Sequence, residues 1–117
     1  MIAVTGDLTF RSRIEVALKN AGIPVRFVPG SRLAESLRES PLPSLILIDY
    51  SECGEEGFQA LSRLKQDALT RAIPVLAYGP HMDRAGRERA QAAGADAVLA
   101  NSQVASELPA LVRKWAL

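Results

Sequence analysis

The chain has 117 residues, a hydrophobic share of 48%, a charged share of 23% and a formal net charge of +1. This is enough chain for one domain with its own core, and so small a net charge gives no electrostatic case for nucleic acid or an anionic membrane surface. No apolar run approaches a membrane span, no basic-plus-apolar leader precedes the first apolar segment, and Cys53 has no second cysteine to pair with. The expectation is one cytoplasmic domain over residues 1–117, with no output domain appended.

Ile2 to Val4 is a short apolar strand opening almost at the first residue. From Leu8 to Ala21, the residues Phe10, Ile14, Ala17, Leu18 and Ala21 recur at three- and four-residue spacing, which predicts a helix with one apolar face. Asp7 is its expected N-cap and Gly22 its stop. Pro24 to Val28 reads as a second strand with Val25 and Phe27 on one side. Ser31 is the expected cap of a short helix that buries Leu33 and Leu37, and Pro41–Leu42–Pro43 prevents that helix from continuing.

Leu45 to Ile48 is apolar on both faces, the mark of a central strand in a parallel sheet. It runs straight into Asp49, with Gly54 and Gly57 shaping the loop beyond. Phe58, Leu61, Leu64 and Leu69 give the next helix its stripe. Ile73 to Ala77 is a fourth strand, Asp83 to Ala93 an Ala-rich helix and Ala97 to Ala100 a fifth strand. Ser106 is the expected cap of a last helix, with Pro109 in its first turn and Leu108, Leu111, Val112 and Trp115 packing inward. Strands alternating with helices in this way predict a doubly wound α/β sandwich.

In open parallel sheets, ligands sit at the carboxyl ends of the strands where the strand order reverses. For five strands the common order is 2-1-3-4-5, which puts that point between the first and third strands, at Thr5–Gly6–Asp7 and Asp49. Carboxylates in one crevice hold a hard divalent cation, or one acts as a nucleophile toward phosphate.

The segment "LILIDYSECGEEGF" (residues 45–58) carries an aspartate followed five and eight residues later by glycines and then an aromatic: Asp49, Gly54, Gly57 and Phe58. With "AAGADAVLANS" leading into the fifth strand and "LKNAGIPV" leading into the second, it resembles the receiver domain of bacterial response regulators over essentially the whole chain. The resemblance implies a flavodoxin-like three-layer α/β/α sandwich, with five parallel strands in the order 2-1-3-4-5 and five helices. It implies a role in two-component, phosphorelay signal transduction with Asp49 at the phosphoacceptor position, and no enzyme. It also implies a weak Mg²⁺ site at Asp7, Asp49 and Ser51.

The sequence departs from the family at its other signature positions. The acidic pair that ends the first strand falls on Thr5 and Gly6, with Asp7 one place late. The switch hydroxyl that ends the fourth strand falls on Gly79, and the lysine that ends the fifth falls on Asn101. These departures imply a divergent or pseudo-receiver that acts through protein contacts, with a histidine kinase or a downstream signalling protein as partner. By resemblance, the partner or homodimer face would draw on Arg84, Arg87, Glu88, Gln91, Gln103 and Arg113.

Plainer readings stand beside these. Glu52, Glu55 and Glu56 read as a solvated rim, Cys53 as an exposed bystander, His81 as a solvent-facing loop residue and "DRAGRERA" as a solvated helix face. Two other classes remain open on the same fold. One is a flavin or other cofactor module, although "TGDLTF" lacks a glycine-rich phosphate loop. The other is a small hydrolase with Asp49 as nucleophile and Asp7 as acid–base.

Overall fold

In the computed structural model, which describes residues 1–39 and 41–116, strands and helices alternate along the chain. They are β1 (Ile2–Val4), α1 (Leu8–Asn20), β2 (Arg26–Phe27), a 3-10 turn over Gly30–Arg32, α2 (Leu33–Ser36), β3 (Ile46–Asp49), α3 (Gly54–Gln66), β4 (Val75–Gly79), α4 (Arg84–Ala93), β5 (Ala97–Ala100) and α5 (Asn101–Trp115). The sheet order is β2-β1-β3-β4-β5 and every pair is parallel. The expected three-layer sandwich is therefore the observed one.

Side-chain alternation divides the core in two, because successive residues of a strand point to opposite faces of the sheet. Ile2, Val4, Ile46, Ile48, Val75 and Ala77 pack with Leu33, Phe58, Leu61, Leu64 and Ala90 from α2, α3 and α4. Ala3, Leu45, Leu47, Leu76 and Tyr78 pack with Ile14, Leu18, Val104, Leu108 and Val112 from α1 and α5. Every residue of β3 and β4 is buried, as central parallel strands require. At Leu64 alone, burying the side chain is worth roughly 2 kcal/mol.

Several boundaries differ from the sequence reading. The second strand is confined to Arg26–Phe27, registered against Ile2 and Ala3 at the sheet edge. Ser31 does not cap a helix; it lies inside the 3-10 turn, and Arg32 precedes α2 without a side-chain cap bond. Leu69 lies beyond the end of α3 and is 80% exposed. Buried Thr70 turns inward instead and donates its hydroxyl to the Leu64 carbonyl at 2.7 Å. The fourth strand begins two residues later than expected, after Pro74, and so takes Tyr78 and Gly79 into the sheet. The last helix begins at Asn101, so Ser106 is interior and donates to the Ser102 carbonyl at 2.9 Å. Pro109 is likewise interior rather than in the first turn, where it has no N–H to give to the preceding turn.

Candidate functional site at the carboxyl ends of β1 and β3

Asp49 is the last residue of β3 and only 5% exposed. Its Oδ1 accepts from the Ser51 amide at 2.9 Å and from the Ser51 hydroxyl at 2.6 Å. Its carbonyl accepts from the Glu52 and Cys53 amides at 3.2 and 2.9 Å. One carboxylate oxygen thus fixes the turn that follows, while Oδ2 makes no hydrogen bond among the described residues. Asp49 is a turn cap and a crevice carboxylate at once.

The register places its neighbours. Asp49 pairs with Tyr78 across β3 and β4, so the two side chains leave the sheet side by side on the α1/α5 face. The same alternation in β1 puts Thr5, two residues after Ala3, on that face. The Tyr78 ring stacks on Phe10 with centroids 5.2 Å apart. Thr5 Oγ1 and the Tyr78 hydroxyl are both buried and without a hydrogen-bond partner among the described residues. The neighbouring Thr5 hydroxyl favours the phenolate. Burial and then the nearby Asp49, Asp7 and Glu52 carboxylates outweigh it, and hold the Tyr78 phenol far above its usual ionisation range.

The other candidate residues fall as follows. Asp7 is exposed and caps α1, with Oδ1 accepting from the Thr9 and Phe10 amides at 2.9 and 3.2 Å. Ser51 reaches Asp49 as described. Gly6 lies under Glu52: a Cβ at Gly6 would stand 2.9 Å from Glu52 Oε2 and 3.1 Å from Glu52 Cβ. Asn101 follows β5 directly as the first residue of α5. Among the described residues no group of three acidic, histidine or cysteine side chains forms a ready metal cage.

One residue behaves differently from the sequence expectation. Cys53 is buried, not exposed, and burial followed by Asp49 raises its thiol to about 11. It is boxed in by Gly30 and Gly57, where a Cβ would stand 1.9 Å from the Cys53 carbonyl oxygen and 2.6 Å from its Cβ respectively. Glu52 is exposed as expected and lies over Gly6, while Glu55 joins Arg89 at 2.6 Å on the surface.

Sequence reasoning missed Tyr50. Its ring is buried on the α3/α4 face, and its hydroxyl donates to the Pro80 carbonyl at 2.7 Å. A Cβ at Gly79 would meet that ring at 2.5 Å, and one at Gly86 would meet it at 2.6 Å. The space that a side chain at Gly79 would need is therefore filled by an aromatic ring. A cleft of about 290 Å³ opens beside it, lined by Tyr50, His81, Arg87, Gln91 and the half-exposed strand residues Val98, Leu99 and Ala100. Arg84, Glu88, Gln91, Gln103 and Arg113 are exposed and Arg87 is half-buried.

With this geometry in view, comparison with known proteins agrees with the resemblance to response regulators. The chain is 29% identical over 114 residues to the phosphate regulon transcriptional regulatory protein PhoB of Klebsiella pneumoniae, covering 97% of this chain. Among solved structures, a putative response regulator from Chloroflexus aurantiacus matches with a TM-score of 0.82 and 26% identity, over 97% of this chain and 93% of that one. The chain has the fold of response-regulator receiver domains and is similar to response regulators in sequence. The receiver domain of a Pseudomonas aeruginosa sensor histidine kinase, with a magnesium ion coordinated in its active-site cleft, superposes with a TM-score of 0.83 at 23% identity, over 97% and 93% of the two chains. The chain spans about half the length of the PhoB relatives it matches, 49% for the Klebsiella protein. No family model matches it. Among the described residues, no helix is long and apolar enough to cross a membrane.

Proposed function

We propose that this receiver domain serves two-component signalling as an atypical member, with Asp49 as phosphoacceptor and with its output carried by protein contacts. One observation carries the reading: Asp49 ends β3 in the crevice with one oxygen locked by Ser51 and the other uncommitted. In the transfer, Asp49 Oδ2 attacks the phosphorus of a phosphodonor, the bond from phosphorus to the donor's leaving atom breaks, and an aspartyl phosphate remains. Ser51 holds the nucleophile in a single orientation throughout. Mg²⁺ fits this site only as a weakly held ion, because one buried carboxylate, nearby acids and water make up the donor set; bound, it would offset charge on the transferring phosphoryl group.

What makes the domain atypical is what surrounds Asp49. Thr5 and Gly6 stand where the family's acidic pair stands, Asn101 brings no positive charge, and Tyr50 fills the space over Gly79. The protein partner, a kinase or a downstream protein, would meet the exposed α4 and α5 residues Arg84, Glu88, Gln91, Gln103 and Arg113, with Arg87 in the cleft beside Tyr50.

The test is the intact mass after incubation with acetyl phosphate and Mg²⁺, beside Asp49→Asn. A gain of one phosphoryl group that is absent from the variant is the expected result. No gain in folded protein overturns the phosphoacceptor assignment.

A further inference from the structure

A second cleft, of about 220 Å³, lies between the C-terminal ends of α2 and α3, at the end of the sheet remote from Asp49. Buried Leu64 and Thr70 and half-buried Ala34 and Leu37 line its inner part, and exposed Arg38, Arg63 and Asp67 stand at its mouth. Thr70 already donates its hydroxyl to the Leu64 carbonyl at 2.7 Å, so its one donor is spent. The volume is below the roughly 300–1,000 Å³ of small-molecule sites. It suits one inserted aliphatic side chain rather than a cofactor.

The charges at the mouth say what would carry that side chain. Elsewhere on the surface, Arg26, Lys65 and Arg89 each meet a carboxylate, at 2.8, 2.7 and 2.6 Å. Arg38 and Arg63 meet none among the described residues. Asp67 does not answer them; its Oδ1 accepts from the Leu69 amide at 2.9 Å and shapes the turn after α3. Two uncommitted guanidiniums therefore flank an apolar floor. Guanidinium forks pair well with carboxylates, and arginine beside a filled apolar pocket is a recurrent anchor of protein interfaces. The complement is an acidic segment with one aliphatic residue among its carboxylates.

We propose that the α2/α3 cleft docks a short acidic segment of a partner protein, and that its occupancy is felt at the turn after Asp49. Both walls of the cleft start from one backbone contact. Gly30 packs against the Cys53 carbonyl; the 3-10 turn at Gly30 runs directly into α2, and Cys53 runs directly into α3. Because α2 is only four residues long, Leu37 at the cleft lies about one helical turn from the 3-10 turn. The link takes its purpose from the reading of Asp49 as phosphoacceptor, whereas the docking does not depend on it. This face is separate from the α4 and α5 residues named above.

The experiment is titration of the ¹⁵N-labelled chain, without phosphodonor, with the capped peptide Glu-Glu-Leu-Glu-Glu, followed by amide chemical shifts. Saturable shifts are expected at Leu37, Arg38, Arg63, Leu64 and Thr70, and also at residues 30–32 and 51–53. Replacing the peptide leucine by alanine should weaken binding about fivefold or more. Arg38→Glu and Arg63→Glu should each weaken it about threefold or more, the scale of an exposed ion pair lost and reversed. Arg13→Glu, an exposed change on α1, should leave the Kd as it was. Absence of saturable binding, shifts centred elsewhere, or an equal loss in Arg13→Glu overturns the docking site. Cleft shifts that leave residues 30–32 and 51–53 unmoved overturn the link. Phosphoryl gain at Asp49, read separately by mass, keeps the two readings apart. Gain without peptide binding removes only the docking site, and binding without gain removes only the phosphoacceptor reading.

Discussion

The Tyr50 ring rests on Gly79 so closely that a Cβ at position 79 would stand 2.5 Å from both Cε1 and Cζ of the ring. Introducing a hydroxyl side chain at the end of β4 is therefore not a local change. Gly79→Thr is expected to overpack this contact and to destabilise the domain by about 1–3 kcal/mol, read as a lower denaturation midpoint. Combining it with Tyr50→Ala, which empties the ring volume, should recover part of the loss relative to the two single changes added together. Strict additivity of the three midpoints would sink the idea that ring and glycine compete for one space.

The hydroxyl of Tyr50 closes the loop after β4 by donating to the Pro80 carbonyl at 2.7 Å. Tyr50→Phe keeps the ring and removes the bond, at a cost of about 1 kcal/mol. Amide hydrogen exchange in residues 80–83 should accelerate in that variant while exchange in β3 stays as it was. Uniform acceleration across the sheet would point to global destabilisation instead.

Asp96 shows what an acid in the "GAD" run does here. Its Oδ2 accepts from the buried Val75 amide at 2.7 Å and from Lys65 Nζ at 2.7 Å, while Lys65 also donates to the Ile73 carbonyl at 2.8 Å. Asp96→Ala strands a strand amide and a largely buried ammonium, and is expected to cost about 2–4 kcal/mol. Chemical denaturation reads it directly. A loss under about 0.5 kcal/mol would place Asp96 with ordinary surface ion pairs.

The Cys53 thiol is raised from 9.0 to about 11, by burial first and by Asp49 second. The folded state therefore holds the thiol proton more tightly than the unfolded chain does. The stability this contributes is fully present below about pH 9 and is lost as pH rises through about 11. Alkylation of the native protein by iodoacetamide should accordingly rise with a midpoint near pH 11, while the urea-unfolded chain reacts with a midpoint near the ordinary thiol value. Coincident profiles would contradict the burial account.

Much of this was legible in the sequence, and the reasons for the misses are specific. Leu45–Ile48 announced a central strand because both faces are apolar, and Asp49 at its end followed from sheet topology. The start of α5 was missed because β5 turns into the helix at Ala100 with no Gly or Pro between them, while Ser106 three residues before Pro109 imitates a cap signal. Tyr78 was left out of β4 because residues 73–77 already satisfied an apolar run. The positions of Glu52 over Gly6 and of Tyr50 over Gly79 and Gly86 could not be read at all. Each is a contact between residues far apart in the chain, and a glycine does not announce what fills the space it leaves.

The clasp of Gly30 on Cys53 has a mechanical consequence. A Cβ at Gly30 would fall 1.9 Å from the Cys53 carbonyl oxygen, and Gly57 closes on the same cysteine from the α3 side. Backbone against backbone leaves no slack, so the turn that carries Asp49, Ser51 and Glu52 cannot shift without moving the 3-10 turn at residues 30–32. On the opposite flank, Tyr50 is wedged between two glycines and tied to Pro80. A displacement arising at Asp49 would therefore be passed to the 3-10 turn and on toward α2, because the two turns can move only together.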